Sequence, residues 1–236
     1  MLGDSKLQTE ILENLTETKH YRDWLCSLAR PYLGDNPLEL GCGNGDYADH
    51  WLSRGLERIT LTEIDPVRYE LTRQRFADDD RVKFTHVDVE APQSADYTAM
   101  VSFNVLEHID NDWAALRAAR SLLRPGGYVF HLVPAFPIGM SDFDRQVGHF
   151  RRYRKHDLIW RAQDAGLQIE KVHYLNAPGL IAWMLFMRLL RGHPKPGPLL
   201  TIWDSCVIPV ERRIERRVRP PFGQSAVLVA RTPRES

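Results

Sequence analysis

The sequence predicts an α/β fold in which a parallel sheet is covered by helices on both faces. Three observations lead there. Five strand-like runs, at 38–40, 58–64, 82–87, 97–105 and 128–133, each give way to a helical run, and that alternation requires parallel strands joined by crossover helices. The first run enters its helix through an alternating glycine turn, Gly41-Cys42-Gly43-Asn44-Gly45. Two more strand-like runs follow, at 167–174 and 226–231, with two helical patterns (176–192 and 199–219) between them. The 236 residues are 43% hydrophobic, enough for one domain with a substantial core. The expected organisation is a single domain over 1–236, with N-terminal helices within 1–36 and a helical insertion over 177–222.

Ahead of the first strand, 6–15 and 18–30 read as helices. Tyr21, Trp24, Leu25 and Leu28 recur at helical spacing, a face that packs on the sheet or closes over a ligand. The first strand is apolar apart from Glu39. The glycines after it bring bare backbone close to a ligand, and Asp46 is placed to cap a helix over 47–53. A dinucleotide fingerprint, G-x-G-x-x-G, would need its third glycine at Asp46. A carboxylate there would repel a pyrophosphate, so the turn is not read that way. The second strand runs into Glu63-Ile64-Asp65-Pro66. Pro66 suits the first turn of a helix over 67–76, with Asp65 as its cap. The third strand ends in Asp88-Val89, and Leu106-Glu107-His108 follows the fourth. A helix over 113–123 is broken by Arg124-Pro125-Gly126-Gly127 before the fifth strand. In the second inserted helix Pro209 is placed to cause a kink.

Lys+Arg and Asp+Glu both number 31, for a formal net charge of zero. A global basic field is absent, so nucleic acid is not an expected partner. Cys26, Cys42 and Cys206 are too few and too scattered for a disulfide framework or a metal cluster, which suits a reducing cytosol. Residues 1–17 are mixed and charged rather than patterned as a signal peptide. The apolar run 180–187 is too short for a membrane span. The expected location is cytoplasmic, without a transmembrane segment.

Glu39-x-Gly41-Cys42-Gly43-x-Gly45 resembles motif I of the class I S-adenosylmethionine-dependent methyltransferases. Val105-Leu106-Glu107-His108 is similar to a signature of its small-molecule members, and Arg124-Pro125-Gly126-Gly127-Tyr128 to its usual turn before the fifth strand. The resemblance covers residues 21–174 and the terminal strand. It implies a Rossmann-like, seven-stranded, mostly parallel sheet with helices on both faces, the last strand antiparallel and a helical insertion before it. It implies S-adenosylmethionine as cofactor. Glu39, Gly41, Cys42, Gly43 and Gly45 would then lie at its amino-acid end and Glu63 at its ribose hydroxyls. Asp88 and Val89 would lie at the adenine, Phe103 and Asn104 near the sulfonium, and Tyr21 over the top.

The acceptor is read from the histidines. Methylation of a hydroxyl needs a base, and histidine is the natural one. His108 follows the fourth strand, and His149 lies in Gly148-His149-Phe150-Arg151-Arg152-Tyr153. That segment resembles the GHxRRY loop of a bacterial methyltransferase subgroup linked with surface polysaccharides, which implies O-methylation of a sugar or glycan precursor. His149 and His108 are the catalytic candidates, and Arg151, Arg152 and Tyr153 are expected to contact the acceptor. The plainer reading is that these residues anchor the loop by pairing with Asp142, Asp144 or Asp157. The loop over 135–154 is expected to be a mobile lid hinged at Gly139 and Gly148. Asp142 and Asp144 lack a matching third ligand, so no metal is predicted. Arg212, Arg213, Arg216, Arg217 and Arg219 form a basic stripe, which reads as a solvated face or as a seat for a phosphate-bearing or lipid-linked acceptor. The apolar helix 180–190, with Trp183, Phe186 and Met187, needs cover from the second inserted helix, a partner copy or lipid. The expected partner is a small-molecule or saccharide acceptor, with peripheral membrane contact and a homodimer left open. Two rival functions stand beside this one: a lipid or quinone methyltransferase at a membrane surface, and a cofactor-binding partner protein without activity.

Overall fold

A computed structural model describes residues 3–4, 7–9, 18–91, 95–189 and 197–234. The strands are β1 (Pro37–Glu39), β2 (Ile59–Leu61), β3 (Val82–Phe84), β4 (Tyr97–Phe103), β5 (Leu123–Pro134), β6 (Gln168–Leu175) and β7 (Ser225–Arg231). They form one sheet in the order β3-β2-β1-β4-β5-β7-β6, parallel except that β7 runs antiparallel to both neighbours. Helices α1 (Lys19–Ala29), α2 (Asp46–Leu52), α3 (Pro66–Arg75), α4 (Asp112–Leu122), α5 (Asp142–Gln146) and α6 (Lys155–Asp164) connect them. Of the helix expected over 6–15, residues 7–9 are described and helical, and the rest lies outside the described residues.

The two-residue period of a strand divides the core. Ala99, Val101 and Phe103 of β4 join Val227 and Val229 of β7 under Trp24, Leu25, Trp51 and Leu52 of α1 and α2. Met100, with Ala226, Leu228 and Ala230, faces Leu116, Ala119, Leu158 and Ala162 of α4 and α6. Central strands buried on both faces read as continuous apolar runs, which is why β4 was legible.

Strand ends differ from the sequence expectation. β2 and β3 are three residues each; past the end of β2, Thr62 N–H donates to Glu39 O (3.0 Å) and its carbonyl accepts from Cys42 N (2.8 Å), which ties this end to the glycine loop. β5 begins at Leu123, and Arg124–Gly127 is a bulge between the pairs Tyr97↔Leu123 and Ala99↔Tyr128. The end of β7 pins this bulge, through Thr232 Oγ1 donating to Arg124 O at 2.7 Å.

The insertion holds α7 (Ala177–Leu189), α8 (Pro198–Ile202), a π turn (Trp203–Val207) and α9 (Ile208–Glu215). Phe186 and Met187 lie outside the residues whose side chains are described. The break expected at Pro209 is absorbed by the π turn, in which Ile208 N–H donates five residues back to Trp203 O. Two inward carboxylates of this segment cap other helices. Asp204 accepts from His20 N (2.9 Å) and Tyr21 N (2.8 Å) at the start of α1, where Thr18 makes no side-chain cap bond. Glu215 accepts from Asn176 N (3.1 Å) and Ala177 N (3.3 Å) at the start of α7. Arg212 adds an ion pair to Asp23 on α1.

Asp204→Ala leaves the first amides of α1 without acceptors and is expected to cost about 1–2 kcal/mol, measured by chemical denaturation. An unchanged midpoint would remove Asp204 from this role. Glu211, beside Glu215, has no donor to either oxygen among the described residues. Burial, then the Glu215 carboxyl, pushes it up to about 8. Below the ordinary value of 4.5 both folded and unfolded states hold the proton, so no penalty exists. As pH rises from there through about 8, the unfolded state ionises first and the folded state loses stability. Glu211→Gln removes that loss, so its melting temperature is expected to rise relative to wild type at about pH 9 and not below pH 4.5.

Candidate functional site

The carboxyl ends of β1, β2, β4 and β5 open onto one cavity of about 460 Å³. Gly41, Gly43, Glu63, Phe103 and Asn104 form its floor along the sheet edge, the usual ligand edge of an open α/β sheet. The glycine loop fits the alternation seen in the sequence. Gly41, Gly43 and Gly45 all have positive φ, at 68°, 55° and 78°. A Cβ on Gly41 would stand 2.7 Å from Val105 Cγ2, so both conformation and space demand glycine.

Glu63 straps this loop to β2. Its Oε2 accepts from Gly43 N (2.9 Å) and its Oε1 from Asp65 N (2.9 Å), with Arg68 Nη2 at 3.4 Å. Beneath the loop, Glu39 is 1% exposed and its Oε2 has no donor among the described residues. Burial, reinforced by the Asp46 and Glu63 charges, pushes it up to about 8. A second cavity of about 40 Å³, lined by Tyr21, Arg22, Cys42, Asn44 and Tyr47, adjoins the loop. Phe103 closes this region by stacking on Tyr47 at 4.0 Å.

The opposite wall is the 135–154 loop. Its base is shut by Phe136 N–H to Tyr153 O (3.0 Å) and Tyr153 N–H to Pro134 O (2.9 Å). At its centre Asp144 is fully buried. It accepts from Ser141 Oγ (2.6 Å), His149 Nδ1 (2.8 Å) and both Nε and Nη2 of Arg152 (3.0 and 2.7 Å). Burial would push its carboxyl up, but the His149 hydrogen bond and the Arg152 charge outweigh that and hold it at about 2. The His149 ring therefore presents Nε2, 3.8 Å from Glu107 Oε1, and meets the His108 ring edge-on at 4.6 Å. Burial, then the neighbouring His149, lowers His108 to about 4. Glu107 lacks donors to its carboxylate among the described residues, and burial, partly offset by His149, raises it to about 7. Glu107, His108 and His149 offer atoms within 4.8 Å of one another, a donor set that could take a cation. Asp142 stays outside it, exposed and paired with Arg145 at 2.9 Å.

The insertion completes the cavity with Asn176, Trp183, Leu200, Trp203, Asp204 and Ile208. Tyr21 lines the cavity with Asn176 and Ser225, and burial raises its hydroxyl to about 12.

A family described as a methyltransferase domain matches residues 13–172. The chain belongs to the class I S-adenosylmethionine-dependent methyltransferases. Over 143 residues it is 33% identical to a 27-O-demethylrifamycin SV methyltransferase of Amycolatopsis mediterranei, covering 56% of this chain and 52% of that protein. Over 157 residues it is 29% identical to a ubiquinone biosynthesis O-methyltransferase of Xanthomonas axonopodis pv. citri, covering 59% and 65%. These matches span about half to two thirds of those relatives. Among solved structures, phosphoethanolamine N-methyltransferase 2 of Haemonchus contortus, in complex with S-adenosyl-L-methionine, shares the fold. The TM-score is 0.63 at 15% identity, over 90% of this chain and 52% of that one.

The cofactor of this family is S-adenosylmethionine, and the residues present fit it. Gly41 and Gly43 present bare backbone to the cavity and Glu63 retains acceptor capacity at its edge, whereas Glu39, expected at the cofactor, is buried beneath the loop and lines neither cavity. Tyr21, Gly41, Gly43, Glu63, Phe103, Asn104, His108, His149 and Arg152 all line the main cavity, and Cys42 lines the smaller one. Others of the expected residues lie elsewhere. Gly45 packs against Phe76, whose Cε2 would stand 2.5 Å from an added Cβ. Asp88 and Val89 line neither cavity. β3 stops at Phe84, and Asp88 is exposed, accepting from Glu90 N at 2.9 Å.

Arg151 and Tyr153, expected at the acceptor, instead anchor the loop. Arg151 Nη1 (2.8 Å) and Tyr153 Oη (2.9 Å) both reach the buried Asp112, which also holds Arg161 Nε at 2.9 Å. Arg152 lines the cavity, but its guanidinium is committed to Asp144 and stacks 4.9 Å from the Trp183 ring. Sequence reasoning missed Arg68, Asp204, Gln224 and Ser225. For Asp144 one signal was available, the Ser141-x-x-Asp144 capping box.

Glu63→Ala removes a charged acceptor from the loop and the cavity edge. S-adenosylmethionine affinity is expected to fall by about 1–3 kcal/mol by calorimetry. Full affinity in a variant that melts like wild type would count against Glu63.

Proposed function

We propose that this methyltransferase O-methylates a hydroxyl acceptor, with His149 as the general base. The observation that carries this reading is the Asp144–His149 pair in the cavity wall. Asp144 accepts from His149 Nδ1 at 2.8 Å and is itself fixed by Arg152. A histidine held through Nδ1–H keeps its Nε2 lone pair free to take a proton. Oxygen as the methylated atom is also supported by the two relatives, one acting on 27-O-demethylrifamycin SV and one a ubiquinone biosynthesis O-methyltransferase.

When bound, the cofactor supplies an electrophilic methyl group on its sulfonium. The protein's own part is to hold the acceptor and move one proton. His149 Nε2 would accept the hydroxyl proton, and the fixed Asp144 would stabilise the imidazolium that results. His108 stays neutral at pH 7, given its value near 4, and so does not add a second cation beside His149. Asn176, Gln224 and Ser225 offer polar contacts, while Trp183, Trp203, Phe143, Leu200 and Ile208 offer ring faces and apolar surface.

A sugar or glycan hydroxyl is supported by that combination of a polar edge with stacking faces. The lipid or quinone reading is supported by the apolar walls contributed by the insertion and by the ubiquinone biosynthesis O-methyltransferase relative. A screen with labelled cofactor, covering saccharides, phenols and amphiphilic alcohols, separates the two. On whichever acceptor turns over, His149→Ala is expected to lower kcat by about 10²–10⁴ and leave cofactor affinity unchanged. His149→Asn, which keeps a hydrogen bond to Asp144, is expected to be nearly as slow. Turnover that survives both substitutions would exclude His149 as the base.

A further inference from the structure

The segment 198–222 holds an inverted amphipathic helix over 198–215, followed by a turn. All three of its carboxylates, Asp204, Glu211 and Glu215, are buried. Its aliphatic side chains Leu199, Ile202, Val210, Ile214 and Val218 point the other way, with 53% to 83% of their surface exposed. The helical positions fall on one face. Leu199 and Ile202 are three apart and Val210 and Ile214 four apart, both same-face helical spacings, and Val218 is exposed in the turn just past the helix end. The eight residues from Ile202 to Val210 would turn a regular helix about 80° out of line, and the wider π turn over Trp203–Val207 takes up part of that offset.

The charges on this face have one sign. Arg213, Arg216, Arg217 and Arg219 are exposed beside the stripe, with no exposed acid between 198 and 222. None of the first three makes a side-chain ion pair among the described residues. We propose that the outer face of 198–222 seats the protein on an anionic lipid surface. An aliphatic stripe edged by arginines is the pattern of a helix lying in a membrane interface. Among the described residues no helix is long and apolar enough to cross a membrane, so the contact is peripheral. A second copy does not suit the face, because a two-fold pairing of the stripe would set arginine against arginine. A protein partner would favour aromatic anchors, and Phe222 is the only exposed aromatic residue in the segment. The inner side of the same segment lines the cavity through Leu200, Trp203 and Ile208. Lipid seating is independent of which acceptor is methylated and can be read without turnover.

The test is co-sedimentation of the full chain with phosphatidylcholine vesicles and with vesicles that also contain phosphatidylglycerol. Pelleting with the anionic vesicles alone is expected, reversed by high salt. Arg213→Gln combined with Arg217→Gln is expected to lower the partition coefficient by about tenfold or more. Val210→Ser combined with Ile214→Ser is expected to lower it comparably. Both pairs are exposed, so both variants should melt and bind S-adenosylmethionine as wild type does. No pelleting with either vesicle overturns the proposal, as does equal pelleting with both. Sedimentation velocity showing a dimer that Ile214→Ser converts to monomer also overturns it, since a second copy would then cover the stripe.

Discussion

A carboxylate taken out of water must gather donors or keep its proton, and this constraint ties the peripheral parts of the molecule to the sheet. Asp144 collects Ser141, His149 and Arg152. Asp112 collects Arg151, Tyr153 and Arg161. Asp204 and Glu215 take the open amides of α1 and α7. Asp144 ties one loop to itself, whereas Asp112, Asp204 and Glu215 join segments that are distant in sequence. Where donors are missing, as at Glu39, Glu107 and Glu211, the carboxyl is raised, and burial raises Glu215 as well despite the amides it accepts from. Two of the three without donors lie behind residues that line the functional cavity, Glu39 beneath the glycine loop and Glu107 beside His149.

The same constraint decides the character of the 135–154 loop. The two glycines anticipated as hinges are hemmed in. Gly148 packs against Gly3, whose N would lie 2.8 Å from an added Cβ, and Gly139 against the Arg152 guanidinium. With Asp144 and Asp112 both holding the loop, His149 sits in a wall fixed by its neighbours, and for the base proposed above such preorganisation favours proton transfer at a fixed point. The N-terminal segment lies across the same loop, through Asp4 N–H to Gln146 O (2.9 Å) and Gln8 Nε2–H to Val147 O (2.6 Å). It also reaches the glycine side, where Arg68 donates to Gln8 Oε1 at 3.2 Å.

The inserted helices show what happens when capping claims the inner face. Asp204 and Glu215 can cap α1 and α7 only by pointing inward, at positions a soluble helix normally fills with aliphatics. The aliphatic positions then face outward. Pro209 contributes as well, since the missing amide favours the π turn, and that turn takes up part of the offset between the outer faces of 198–202 and 208–215.

The sheet, its glycine loop and the acid at the end of β2 were legible because each is a local demand. Central strands must be apolar on both faces, Gly41 and Gly43 answer a positive φ, and Glu63 stands at a strand end fixed by the following proline helix. His149 was also legible, from a resemblance confined to six residues. Its partner could be narrowed only to three acids, because Asp142, Asp144 and Asp157 are equivalent in sequence. Burial separated them, leaving Asp142 on the surface and taking Asp144 to zero exposure. Arg151 and Arg152 are likewise adjacent in sequence, yet one turns to Asp112 and the other to Asp144. The cap on α1 comes from Asp204, 184 positions away from His20, and no local pattern records such a pairing. Sequence by itself determined the strands, the cofactor loop and the family. The tertiary structure decided which charges are buried together, because desolvation depends on what surrounds a side chain in space and not on its neighbours along the chain.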